Sequence, residues 1–146
     1  MSISVGDVAP DFEAPTSQGG KLKLSGLRGK KVVLYFYPKA FTPGCTVETQ
    51  RFAEITPLLD QKGVQVVGIS VDNANTQHKF AESCHANFPL VDDETKGISK
   101  SYGVLGMMGL AKRVTFFLDE NGKVVDLVDA MRPAAHLDRT RERFLA

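Results

Sequence analysis

Only two cysteines stand in this chain of 146 residues, and basic and acidic side chains nearly cancel at 18 against 17. Its longest clean apolar stretches, Val32 to Pro38 and Val104 to Ala111, fall far short of the ~20 residues a membrane helix needs. A formal charge of +1 leaves no electrostatic footprint for nucleic acid, and the Lys and Arg residues are scattered without a polybasic run for anionic lipid. Neither a nucleic acid nor a membrane is therefore an expected partner. No basic start followed by an apolar stretch opens Met1 to Pro10, so no secretory leader is read there and a cytoplasmic location is expected. In a reducing cytosol two thiols serve more often as ligands or catalysts than as a structural bridge.

Further absences narrow the chemistry. There is no Cys-x-x-Cys, which disfavours a thioredoxin-type oxidoreductase. Possible metal ligands form no cluster beyond Cys84-His85, neighbours whose side chains splay apart, so no metal and no other cofactor is expected. His78, His85 and His136 lie on or near expected helices, where a solvated or capping imidazole is the default. A cysteine protease would need one of them as a base beside the nucleophile.

What is present suits one domain over residues 1–146: with 42% hydrophobic and 24% charged residues, a chain of this size needs no disulfide staples. Turn signals at Ala9-Pro10, Ala14-Pro15 and Gly19-Gly20 flank Phe12 to Ala14 and Lys21 to Leu24, which predicts a small N-terminal β-hairpin. Lys31 to Tyr37 is a continuous β-branched and aromatic run, the mark of a central strand buried on both faces. From Cys45 to about Lys62, Val47, Phe52, Ile55, Leu58 and Leu59 recur at helical spacing, with Pro57 implying a kink. Val64 to Val71 is a second buried run, so strand, helix and strand predict a right-handed crossover and a parallel pair.

Asp72 or Asn73 caps a further expected helix reaching Cys84; a short strand over Phe88 to Val91 and a short helix over Thr95 to Tyr102 follow. Val114 to Leu118 and Lys123 to Val128 flank Asp119-Glu-Asn-Gly122, the strongest hairpin signal in the chain, and make the sheet mixed. A final helix starts near Pro133 and turns Leu137, Phe144 and Leu145 inward. This order predicts an α/β, thioredoxin-like fold, a central mixed sheet flanked by helices with a hairpin at the N-terminal end.

Cys45 follows the strongest strand and opens a helix, where free amides and the positive end of the helix dipole favour a thiolate, the nucleophilic form. Thr42 offers a hydroxyl to a bound oxygen, Pro38 shapes the loop, and Gly44 permits close approach to the backbone. Position alone leaves an ordinary buried thiol equally open, since many free cysteines behave as small hydrophobes.

The flanking residues decide between these. Pro38-Lys-Ala-Phe-Thr42-Pro-Gly-Cys45 resembles the Pro-x-x-x-Thr-x-x-Cys signature of the peroxiredoxins. Tyr-Phe-Tyr-Pro-Lys followed by Thr-Pro-Gly-Cys-Thr-x-Glu is similar to their bacterioferritin comigratory protein branch, also called PrxQ. The likeness runs from Val5-Gly-Asp-x-Ala-Pro-Asp-Phe12 through Val71-Asp, His78-Lys-Phe80 and Phe88-Pro-Leu to Arg113-Val-Thr-Phe-Phe-Leu-Asp-Glu-Asn-Gly122. It implies reduction of hydrogen peroxide or an organic hydroperoxide by the Cys45 thiolate, which becomes a sulfenic acid. Thr42 and Arg113 would hydrogen-bond the peroxide oxygens, Pro38 would shield the sulfur, and Glu48 would orient Arg113.

Gln50 stands five residues after Cys45, where many members of that branch carry their resolving cysteine. Other members place it on the helix after the second strand, which makes Cys84 the candidate resolver and thioredoxin or a similar dithiol the reductant. Bridging the two would need local unfolding, because a disulfide requires Cα atoms within about 7 Å. The alternatives are a passive Cys84 in a one-cysteine peroxidase, and a redox-sensing thiol switch with incidental turnover. Gly103 to Ala111 is an apolar, glycine-rich loop that either walls the pocket, plugs the core with Met107 and Met108, or forms an oligomer interface. A monomer is expected.

Overall fold

The computed structural model describes residues 3–146; Met1 and Ser2, where the stretch read for a leader begins, lie outside the described residues. Strands β1 (Glu13–Pro15) and β2 (Lys21–Lys23) pair antiparallel as the expected hairpin, with Ala14 opposite Leu22. A 3-10 turn over Leu24–Leu27 leads into β3 (Lys31–Phe36), followed by α1 (Pro43–Gln61) and β4 (Val64–Ser70). Next come α2 (Ala74–Cys84), β5 (Leu90–Asp92), α3 (Gly97–Ser101), β6 (Val114–Leu118), β7 (Val124–Asp129) and α4 (Pro133–Phe144).

The last five strands form one sheet in the order β5-β4-β3-β6-β7. Pairing is parallel on the β4 and β5 side of β3 and antiparallel on the β6 and β7 side, the mixed thioredoxin-like arrangement. Strand β3 is central, and its run lacks a polar face because both sides are covered. Val32, Leu34 and Phe36 enter one core, while Val33, Tyr35 and Tyr37 enter the other with Cys45 and Cys84. No helix among the described residues is long and apolar enough to cross a membrane.

Helix α1 buries Phe52, Ile55 and Leu59 as expected, but not the whole expected set. Val47 and Leu58 are half exposed, at 46% and 51%, whereas Cys45, Glu48, Thr49, Phe52, Ile55, Thr56 and Leu59 face inward. That stripe keeps helical spacing but contains three polar residues, each with a hydrogen-bond partner. Glu48 meets Arg113, Thr49 shares a 2.9 Å hydrogen bond with the Tyr35 hydroxyl, and Thr56 donates to the Phe52 carbonyl at 2.7 Å. Apolar content alone misplaced Val47 and Leu58, because burial on the rest of this face extends to polar residues whose hydrogen bonds are satisfied.

The 103–111 loop also departs from one expectation. Val104 and Ala111 pack into the core on the sheet face opposite Cys45, but Met107 and Met108 are fully exposed and plug nothing.

Gly68 sits opposite Tyr35 in the parallel pair with no room for a methyl group. A Cβ there would lie 2.7 Å from Leu90 Cδ2 and 2.8 Å from Tyr35 Cζ. Gly68→Ala is expected to lower stability by about 1–3 kcal/mol, read as a lower urea midpoint with an unchanged slope.

Candidate active site

The segment from Pro38 to Cys45 converts the end of β3 into the start of α1. Pro38 is half-buried where the strand ends. Phe41 turns the chain in the left-handed region, at φ 67°, a conformation costing a non-glycine residue roughly 1–2 kcal/mol. Its ring meets Phe80 of α2 edge-on at 5.1 Å, which helps hold it there. Thr42 is the N-cap of α1, yet its hydroxyl donates to the Lys39 carbonyl at 2.8 Å and caps nothing. The hydroxyl expected to donate to a bound oxygen therefore presents its oxygen as an acceptor. With Pro43 at the first helical position, the amides of Gly44 and Cys45 are left without an acceptor in the helix. Cys45 is fully buried at this helix end.

Arg113 closes the site from the edge of β6. Its Nη2 lies 3.5 Å from Cys45 Sγ, its Nη1 donates to Glu48 Oε1, and its Nε donates to the Met131 carbonyl at 3.0 Å. The guanidinium is 8% exposed and fixed on three sides. Gly44 explains how it fits: a Cβ there would come within 3.0 Å of Arg113 Nη2. The close approach expected at Gly44 is thus already made by the protein's own arginine.

Glu48 is fully buried, and its second carboxyl oxygen has no partner among the described residues. Burial pushes its carboxyl up to about 8, against the pull of the Arg113 guanidinium. Arg113 moves upward despite its own burial, because Glu48 and Cys45 both favour its charged form.

Several supporting residues escaped sequence reasoning. Asp72, expected as a possible helix cap, instead accepts from the Ala40 amide at 2.8 Å and from the Ser70 hydroxyl. Asn73 does the capping, accepting from the Thr76 amide. Gln77 donates to Ser70 Oγ at 2.9 Å and accepts from the Tyr37 hydroxyl, so a buried chain of hydrogen bonds ties the Pro38–Cys45 loop to β4 and α2. Met131 acts through its backbone carbonyl, which no side-chain pattern announces.

The remaining candidates lie apart. Cys84, 2% exposed, is the last residue of α2, and burial pushes its thiol up while Ser83 partly offsets the effect. Cys45 and Cys84 belong to the same apolar cluster, and both are free thiols. Beside Cys84 opens a cavity of about 430 Å³, also lined by Gln50, Ala53, Glu54 and His85. His78 and His85 are partly or fully exposed as expected; His136 is not, and its ring is completely buried. No grouping of three or more metal-ligating side chains occurs among the described residues.

Residues 5–127 match the model of the AhpC/TSA family. The chain is 36% identical over 143 residues to peroxiredoxin Bcp of Escherichia coli (strain K12), spanning 93% of this chain and 92% of that one. Peroxidoxin BcpB from Mycobacterium tuberculosis is similar at 38% identity and a TM-score of 0.85 across 92% of each chain. Structures of the Xanthomonas campestris bacterioferritin comigratory protein, which address its alkyl peroxide reduction activity, align with a TM-score of 0.84 at 29% identity, over 90% of this chain and 88% of that one.

Proposed function

The chain belongs to the AhpC/TSA family, within it to the peroxiredoxin Bcp/PrxQ branch of thiol peroxidases, and from that premise we propose that Cys45 is its peroxidatic nucleophile. Pro38, Thr42, Glu48 and Arg113 complete the pocket. One observation carries this reading: the buried Cys45 sulfur lies at a helix N-terminus with the Arg113 Nη2 3.5 Å away. A thiolate held there faces a cation that Glu48 and Met131 already orient.

In the first half-reaction the Cys45 thiolate attacks the terminal oxygen of a hydroperoxide. The S–O bond forms as the O–O bond breaks, leaving a sulfenic acid and an alkoxide or hydroxide that takes a proton and departs as alcohol or water. Negative charge grows on the leaving oxygen, and Arg113 and the open amides of the first helical turn are preorganised to meet it. Thr42, its own proton committed to Lys39, accepts from the peroxide O–H and fixes which oxygen faces the sulfur.

In the second half-reaction Cys84 attacks the Cys45 sulfenic sulfur, a disulfide forms, and water leaves with the Cys84 proton. A dithiol reductant such as thioredoxin then returns both thiols and is itself oxidised. Two features support Cys84 in this role. It ends α2 just before His85, which occupies a left-handed cap at φ 56°, a conformation that lowers the cost of opening the turn. Gln50 and Cys84 also line one cavity, so Cys84 opens onto the same groove as the α1 position where many branch members carry a resolving cysteine. We read residues 1–146 as one such domain, a cytoplasmic monomer.

The competing reading, a one-cysteine cycle with Cys84 passive, draws on the burial that disfavours the Cys84 thiolate. The test is thioredoxin-coupled peroxide consumption by Cys84→Ser, with the mass of peroxide-treated protein. Coupled turnover is expected to fall at least roughly tenfold while the first oxidation of Cys45 proceeds unchanged. Wild type should lose both thiols as an internal disulfide. Full coupled turnover in Cys84→Ser, without that disulfide in wild type, establishes the one-cysteine cycle.

A further inference from the structure

His136 occupies the first turn of α4, fully buried, and neither the sequence motifs nor the peroxide chemistry above uses it. Its Nε2 lies 2.8 Å from the Ala130 carbonyl, and its Nδ1 lies 2.7 Å from the Thr115 hydroxyl. A carbonyl only accepts, so Nε2 carries the proton; Nδ1 of the neutral ring then accepts from Thr115. Burial first, then the nearby Arg113 cation, pushes the ring below the ordinary histidine range, against the pull of the Ala130 carbonyl and Asp129. One tautomer is thereby selected by its two neighbours.

Those neighbours lead back to the nucleophile. Ala130 precedes Met131, whose carbonyl accepts from Arg113 Nε at 3.0 Å, and the Ala130 amide donates to the Arg113 carbonyl at 3.4 Å. Thr115, on β6, stands two residues after Arg113, a spacing that in extended chain turns both side chains to the same side of the sheet. The turn between β7 and α4 is therefore gripped by His136 on one side and by Arg113 on the other. Arg113 Nη2 has only one productive direction, toward Cys45 Sγ, and that direction depends on where the Met131 carbonyl lies. Pro133, at the start of the same helix, passes near Gly44. A shift of this turn therefore reaches both sides of the nucleophile.

We propose that His136 is a positioning residue of the peroxidase, clamping the Ala130–Met131 turn between Thr115 and α4 so that the Met131 carbonyl aims the Arg113 guanidinium at Cys45. The inference rests on the assignment of Arg113 as the group that meets the peroxide. It predicts that His136 acts on the reaction only through Arg113. A residue that merely stabilises the fold affects the rate independently of Arg113.

A double-mutant cycle separates the two. The quantity read is the second-order rate constant for oxidation of Cys45 by hydrogen peroxide in a single turnover, below the melting temperature of every variant. His136→Leu, which removes both hydrogen bonds at similar volume, is expected to lower the rate roughly 10- to 100-fold, the effect of an ångström-scale misalignment. His136→Gln, whose amide NH2 can donate to the Ala130 carbonyl while its oxygen accepts, should recover most of the rate lost in His136→Leu. In an Arg113→Met background the same His136→Leu substitution should change the rate less than about twofold, a large coupling between the sites.

Equal fold-losses in both backgrounds, or a folded His136→Leu with the wild-type rate, overturn the proposal. Should His136→Leu fail to fold, Thr115→Val removes only the Nδ1 partner and enters the same cycle. Its loss, expected to be roughly 3- to 10-fold for one neutral hydrogen bond, must again vanish without Arg113. If Arg113→Met alone leaves the rate unchanged, the role of Arg113 fails, a result distinct from additive losses at His136.

Discussion

Cys45→Ser is expected to abolish peroxide consumption in the thioredoxin-coupled assay, a loss on the order of 10⁴-fold or more. An alcohol in place of the thiol is a far weaker nucleophile near neutral pH, and it cannot form the sulfenic acid on which the second half-reaction depends. The substitution changes little else: the site is fully buried, and serine is close to cysteine in shape. Its main structural effect is to put a hydroxyl where the thiol meets Arg113 Nη2, a contact the hydroxyl oxygen also accepts. The variant should therefore remain folded, and circular dichroism with a thermal melt checks that loss of turnover is chemical. Peroxide consumption by folded Cys45→Ser would end the assignment of the nucleophile.

Arg113→Met carries the second-largest effect. Removing a single preorganised donor from a developing oxyanion typically costs 10²–10³ in rate, and Arg113 also faces the thiolate itself, so a loss of about 10³-fold in the rate of Cys45 oxidation is expected. Lysine should not rescue it. The guanidinium serves Cys45, Glu48 and the Met131 carbonyl from three different nitrogens, whereas one ammonium on a flexible stem cannot hold all three.

Stability falls as well, because Glu48 loses its only partner among the described residues while remaining buried. Arg113 is the one pull that opposes burial at the Glu48 carboxyl, so removing the cation favours the neutral acid further and the loss is moderated. A decrease of about 3 kcal/mol is expected, the lower end for breaking a buried pair. Adding Glu48→Gln to Arg113→Met should recover part of that stability in a urea titration without restoring the rate. Recovery of the rate would mean that charge balance, not the arginine's hydrogen bonds, governs the reaction.

The parts of the fold legible in the sequence are those set by local periodicity and turn chemistry. The unbroken Lys31–Tyr37 run marks the central strand because a strand covered on both faces has no polar side to show. Asn121-Gly122 marks the β6–β7 hairpin because Gly122 adopts φ 79°, which costs glycine little. Helix α1 shows where such reading stops. Phe52, Ile55 and Leu59 are buried as their spacing suggests, but Val47 and Leu58 are not, and Glu48, Thr49 and Thr56 join the buried face through partners just before β6, on β3 and within α1 itself. A residue's hydrophobicity is legible in its letter; the partner that makes Glu48 or Thr49 cheap to bury lies elsewhere in the chain.

The two cysteines divide along the same line. Position along the chain sufficed to put Cys45 at a helix N-terminus after the central strand, and the flanking Pro38 and Thr42, through their resemblance to the peroxiredoxin signature, pointed to the chemistry proposed for it. Tertiary structure alone decided that the Thr42 hydroxyl is committed to Lys39, that Arg113 approaches over Gly44, that Met131 steers it through a backbone carbonyl, and that His136 is buried between β6 and the turn before α4. Apart from the Thr42–Lys39 and His136–Ala130 bonds, those contacts join segments well separated in sequence, and several of them use backbone atoms every residue shares, so no local pattern of side chains encodes them. They form only when sheet order brings the start of β6 against the first turn of α1.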